Sequence, residues 1–280
     1  MPSAPVRASI TEGRGVAAVL ERCRAENRAA LVGYLPVGFP TVEGSIAAMV
    51  AMVEAGVDVV EVGVPYSDPL MDGPVIQHAA AVALAGGTRV DDAFEAVRAV
   101  RAAGAPPLVM TYWNLVLHRG VDRFAAGLAA AGGAGLITPD LIPEEAADWL
   151  AASDREGLDR VFLVAPSSTA ERLAAVTGAT RGFVYAASTM GVTGARDAVG
   201  GAAAGLVEHT RAVTDLPVCV GLGVSTRAQA AEVASFADGV IVGSALVRVL
   251  EGEGELPPRI EALREVVAEL AAGVREGREQ

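Results

Sequence analysis

The stretch Glu61-Val-Gly-Val-Pro-Tyr-Ser-Asp-Pro-Leu-Met-Asp-Gly-Pro74 gathers three carboxylates, Glu61, Asp68 and Asp72, in one short segment. Glu61 sits in the β-branched run Val59-Val60-Glu61-Val62. Strand alternation puts Val59, Glu61 and Gly63 on one face and Val60 and Val62 on the other. Pro65, Pro69, Gly73 and Pro74 then carry Asp68 and Asp72 on a structured loop. A buried carboxylate without a partner is costly, so the chemistry that suits this segment is proton transfer. The alternative is a satisfied core glutamate followed by two aspartates that only shape turns.

Composition removes several other chemistries. The chain has 280 residues, is 52% apolar and carries a net charge of −12. That is enough for one large core or two small ones, and it offers no basic stripe for nucleic acid. It contains no lysine, so imine chemistry on a lysine amine is excluded. His78, His118 and His209 are scattered, with no second ligand at metal spacing, and no metal site is expected. Cys23 and Cys219 lie outside any CxxC pattern and read as small buried residues of a reducing cytoplasm. No apolar signal segment follows the N-terminus, and charge-free stretches such as that from Phe124 to Pro139 are too short and glycine-rich to span a bilayer. The expectation is a soluble cytoplasmic protein with no membrane or nucleic-acid partner.

The elements that would position the carboxylates follow from periodicity. Apolar runs at Leu31–Pro36, Asp58–Gly63, Pro107–Tyr112, Ala134–Thr138, Arg160–Val164, Gly182–Ala186, Pro217–Gly221 and Gly239–Val242 read as strands. Helical patterns lie between most of them, one capped by Thr41 and ending at Gly56, another following Thr226. A helix with Val16, Val19, Leu20 and Cys23 on one face precedes the first strand, and a last one starts at Pro257-Pro258. Strands alternating with helices, without a linker, predict one (β/α)8 TIM barrel over residues 1–280, with an extra N-terminal helix plugging its floor. Residues 1–10 and 274–280 are expected to be loose tails. An open doubly wound sheet is disfavoured because no Gly-x-Gly-x-x-Gly follows the first strand.

Active sites of such barrels form at the C-terminal ends of the strands. There the pattern places Glu61 after strand two, Tyr112 after strand three, Asp140 after strand four and Tyr185 after strand six. Taken singly, each tyrosine reads better as a core aromatic with its hydroxyl satisfied. The later turns Gly191-Val-Thr-Gly194, Gly221-Leu-Gly223-Val-Ser225 and Gly243-Ser244-Ala245 bring backbone amides close to an anion. Their place on the late strands predicts a phosphate held by amides, Ser244 and a helix dipole.

Taken together, Glu61–Pro74, Gly191–Gly194 and Gly243-Ser244 resemble the tryptophan synthase alpha chain family, from about Arg14 to Glu269. The resemblance implies cleavage of indole-3-glycerol phosphate to indole and glyceraldehyde 3-phosphate. It puts the catalytic glutamate on Glu61, the catalytic aspartate on Asp72 and the active-site tyrosine on Tyr185. Phosphate-binding positions fall on Gly194, Gly223, Gly243 and Ser244, the closing-loop threonine on Thr193, and the aromatic rings beside indole on Tyr34 and Tyr112. It implies no cofactor in this chain. The expected partner is a pyridoxal-phosphate-bearing beta subunit in an alpha2beta2 assembly, contacted through Asp68 and Pro69. Phe39, Leu222 and Thr189 depart from a pattern frequent in the family. Other readings are a free-standing lyase, a catalytically silent activator of the beta subunit, and a sugar-phosphate epimerase, whose metal-binding histidines are missing here.

Overall fold

This computed structural model describes residues 15–187, 196–221, 223–252 and 254–278. Nine parallel strand segments form one sheet: β1 (Ala30–Pro36), β2 (Val59–Gly63), β3 (Pro107–Met110), β4 (Gly135–Ile137), β5 (Asp159–Val161), β6 (Leu163–Val164), β7 (Val184–Ala187), β8 (Val218–Gly221) and β9 (Gly239–Val242). Their order is β5-β4-β3-β2-β1-β9-β8-β7-β6, with helices around them. The run expected as one fifth strand is two segments separated by Phe162. β5 bonds to β4 and β6 bonds to β7, so the barrel closes through the chain itself. It is an α/β TIM barrel.

Alternation along β2 is as the β-branched pattern requires. Val59 faces the interior with Val32, Leu108, Ile137, Val161, Phe183, Cys219 and Ile241, whereas Val60 and Val62 face the helices. Helix Ala17–Ala25 adds Leu20 and Cys23 to that interior cluster, closing the floor as expected. Thr41 caps helix Val42–Ala55 by accepting from the Gly44 amide at 3.0 Å, and the helix stops at Gly56, whose φ of +118° suits glycine.

Two boundaries need correction. β3 ends at Met110, and Tyr112 instead opens the helix Trp113–Arg119. At the C-terminus, helix Leu256–Glu276 carries Val274 into the core, and the Arg278 guanidinium donates to the Ala237 carbonyl at 2.9 Å. Residues 274–278 are therefore anchored rather than loose. Two glycines near this end are contact points: a Cβ on Gly273 or Gly277 would overlap the backbone of helix Arg227–Ala234 at Arg227 or Ala231. Among the described residues no helix is long and apolar enough to cross a membrane.

Candidate active site

Glu61 lies two residues before the end of β2, its Cα in register with Tyr34 on β1 and Leu108 on β3. One layer below it Val32 and Val59 pair on the floor. Its side chain is 0% exposed, and neither carboxyl oxygen has a hydrogen-bond partner among the described residues. Loss of solvation pushes the carboxyl up to about 8, so at neutral pH the proton stays on. Among the described residues nothing satisfies those two oxygens, unlike a paired core glutamate. What remains is an acid that can give a proton and take one back.

Tyr34 and Tyr185 flank it from β1 and β7. Each ring lies over a glycine on the neighbouring strand. A Cβ on Gly63 would overlap the Tyr34 hydroxyl, and one on Gly221 would come within 2.6 Å of the Tyr185 hydroxyl. Gly221, first read as part of a phosphate turn, thus makes room for a ring. Burial first, and neighbouring acidic groups second, push both phenols well above their ordinary range. Neither is a source of protons near neutrality; they wall the acid and can orient it.

Asp72 comes from the loop after β2. Its amide donates to the Pro69 carbonyl at 3.2 Å and its carbonyl accepts from the Gln77 side chain at 2.8 Å, just ahead of helix Pro74–Ala85. The carboxyl is half-buried. Burial pushes it up to about 6, and a hydrogen bond with Tyr112 holds it below what burial alone would give. The Tyr112 hydroxyl also accepts from the Met71 amide at 3.0 Å.

These groups share a cavity of about 440 Å³ at the barrel mouth, lined by Tyr34, Glu61, Asp72, Tyr185, Gly223, Gly243 and Ser244. Gly223 has φ of +69°, a conformation glycine adopts without strain. Ser244 starts a short helix whose first backbone bond runs from the Leu246 amide to the Gly243 carbonyl at 2.9 Å. The Ser244 and Ala245 amides precede that ladder, as an anion contact requires. Tyr112 does not line the cavity; it grips Asp72 from outside. Asp68 and Pro69 also lie off it, Asp68 accepting from the Ser67 hydroxyl at 2.6 Å. Thr193 and Gly194, with Thr189 and Leu222, fall outside the described residues.

Sequence reasoning missed the apolar walls. Met110, Leu163 and Ile241 were legible as inward positions by alternation, whereas Ile76, Leu70 and Met71 come from a loop and helix with no strand register to announce them. Asp140, expected near the mouth, caps helix Trp113–Arg119 through the Trp113 amide at 2.9 Å. Phe39 is buried and meets His78 edge-on, 6.3 Å between ring centres. Among the described residues no cluster of three or more His, Cys, Asp and Glu could hold a metal.

A larger cavity, about 730 Å³, lies at the opposite end of the barrel beside Leu20 and Gly182. Its arginines are all committed: Arg28 to Asp58, Arg181 to Asp154, and Arg24 and Arg278 to Asp238. Among its described residues there is no bare buried acid, which sets it apart from the smaller cavity.

The family model for the tryptophan synthase alpha chain matches residues 20–276. The tryptophan synthase alpha chain of Mycobacterium marinum is 65% identical over 258 residues, 92% of this chain and 94% of that one. That of Mycobacterium tuberculosis is 63% identical over 267 residues, 95% and 97% of the two chains. The structure of Mycobacterium tuberculosis tryptophan synthase in space group F222 superposes with a TM-score of 0.86 at 62% identity, covering 93% of this chain and 98% of that one. The chain belongs to the tryptophan synthase alpha chain family.

Proposed function

We propose that Glu61 and Asp72 carry the reaction of this family member, a lyase of tryptophan biosynthesis that cleaves indole-3-glycerol phosphate to indole and glyceraldehyde 3-phosphate. Breaking the carbon–carbon bond needs an electron sink. The chain has no lysine to make an imine, so the substrate supplies the sink when indole is protonated at C3. Glu61, neutral at rest, gives that proton. Its carboxylate then accepts the proton of the side-chain hydroxyl as a carbonyl forms there, and the bond electrons return to the indole ring. The proton count on Glu61 closes after one cycle.

Asp72 accepts a hydrogen bond from the indole N–H and stabilises the positive charge that develops at nitrogen. Tyr185 orients Glu61, and Tyr34 walls the indole. The phosphate rests on the amides around Gly223, Gly243 and Ser244, with Thr193 and Gly194 assigned to the same end of the substrate. Anchoring that end holds the reacting carbon beside Glu61.

One observation carries the assignment: a fully buried carboxyl at the cavity wall with both oxygens unpartnered. Following indole release from indole-3-glycerol phosphate in wild type, Glu61→Gln and Asp72→Asn tests it. Turnover is expected to fall by about 10³–10⁴ in Glu61→Gln and by about 10²–10³ in Asp72→Asn. Retained turnover in Glu61→Gln would reject the role.

Indole passes to a beta subunit. We infer that this partner bears pyridoxal phosphate in an alpha2beta2 assembly and meets the loop of Asp68 and Pro69. In support, the neighbouring Leu70 is 91% exposed and Met71 59% exposed at the rim of the mouth. Large apolar side chains so placed suit a covered surface.

A further inference from the structure

Asp72 stands on a loop, yet its carboxyl must meet a ring nitrogen with hydrogen-bond accuracy. The side chain that grips it is Tyr112, and three contacts set the place of Tyr112. Its backbone opens helix Trp113–Arg119, where Asp140 accepts from the Trp113 amide at 2.9 and 3.1 Å. Its hydroxyl accepts from the Met71 amide at 3.0 Å, which pins the backbone next to Asp72, and the same hydroxyl holds the Asp72 carboxyl below what burial alone would give. Its ring is stacked against Tyr66, with 4.7 Å between centres and 26° between planes. Tyr66 belongs to the same loop as Asp72, between Pro65 and Ser67, and does not line the cavity. The loop therefore holds its own carboxylate indirectly: Tyr66 fixes the ring, the ring aims the hydroxyl, and the hydroxyl holds the backbone at Met71 and Asp72.

We propose that Tyr66 is a positioning residue for Asp72, acting through its stack on Tyr112. The proposal rests on the role assigned to Asp72 above. Without the stack, the Tyr112 ring keeps its backbone anchor and loses its lateral stop, so the hydroxyl no longer meets Met71 and Asp72 together. Asp72 then forfeits the one interaction that opposes burial, and its carboxyl rises further above about 6. The other titratable groups near it are Tyr34, Glu61 and Tyr185 across the cavity, Asp140 beside Tyr112, and Asp68 on its own loop. Among the described residues none of these is a cation, so none supplies a charge that would offset the loss.

The test titrates the Asp72 carboxyl by ¹³C NMR in aspartate-labelled protein, its signal identified by absence in Asp72→Asn. Tyr66→Ala is expected to move the midpoint up by about half a unit, Tyr112→Phe by about one, and Tyr66→Phe, which keeps the stacked ring, not at all. The acidic limb of kcat/KM should shift in parallel, with kcat at neutral pH about three- to tenfold lower in Tyr66→Ala and KM nearly unchanged. Should Tyr66→Ala not fold, Tyr66→Leu supplies bulk without a ring face. An unmoved Asp72 midpoint in the folded variant, or a Tyr66→Phe as impaired as Tyr66→Ala, overturns the proposal. Wild-type turnover in Asp72→Asn would instead overturn the role of Asp72, while the carboxyl titration still decides that of Tyr66.

Discussion

Two acids, Asp58 and Glu61, stand three positions apart in sequence and live by opposite rules. Asp58, at the entry to β2, takes two hydrogen bonds from the Arg28 guanidinium at 2.7 and 2.8 Å and one from the Leu31 amide at 2.9 Å. Glu61, inside the barrel, takes none among the described residues. The pattern extends around the floor. Asp159 accepts from the Val16 amide, and Asp238 accepts from the Val218 amide and pairs with Arg24, Arg211 and Arg278. At the N-terminal end acids fasten helices to strands; at the C-terminal end one acid is left without partners, beside two tyrosines and a cavity. A buried charge is tolerated when paired, and an unpaired carboxyl keeps its proton instead. The same residue chemistry thus gives stability at one end and a proton store at the other.

The sharpest way to break this contrast is Glu61→Gln, where stability and turnover should move in opposite directions. The folded carboxyl titrates at about 8 against an ordinary 4.5. Its contribution to stability is complete below the unfolded value and is lost as pH rises through the folded one. Glu61→Gln should therefore match wild type near pH 4 and exceed it by on the order of several kcal/mol above about pH 8, read by urea unfolding, while turnover collapses. Asp58→Ala should do the reverse. Arg28 keeps Glu26 and the Ala29 carbonyl but loses its two-pronged partner, and the Leu31 amide loses its acceptor; the cost is expected to be about 1–3 kcal/mol in urea unfolding, with turnover of the folded fraction unchanged. The smallest effect sharpens the mouth alone: Ser244→Ala should raise KM about tenfold, about 1.4 kcal/mol, with kcat held, in steady-state assays.

How much of this was legible in the sequence depends on what fixes each part. Val59, Glu61 and Gly63 were placed on one face by period-two alternation, and the structure keeps them there because β2 is bonded on both sides. Thr41, Gly56 and Thr226 marked helix ends because caps act locally. The break at Phe162 had no local signal, since the closing strand answers to β4 and β7, neighbours distant in sequence. The anchoring of residues 274–278 was not legible because its partners lie in another helix, against Arg227 and Ala231. Within the site, Glu61 and Asp72 stood out by residue type and setting. The grip of Tyr112 and the stack of Tyr66 did not, because a ring's partner is set by χ angles that no spacing encodes.

The central claim is that Glu61 rests as a neutral, unpartnered acid and spends its proton in the reaction. Infrared difference spectroscopy of wild type minus Glu61→Gln measures that directly. A protonated-carboxyl band present at neutral pH and lost with a midpoint near 8, matching the alkaline fall of kcat/KM, is the predicted result. A carboxyl already ionised at neutral pH, titrating near the ordinary 4.5, would contradict it.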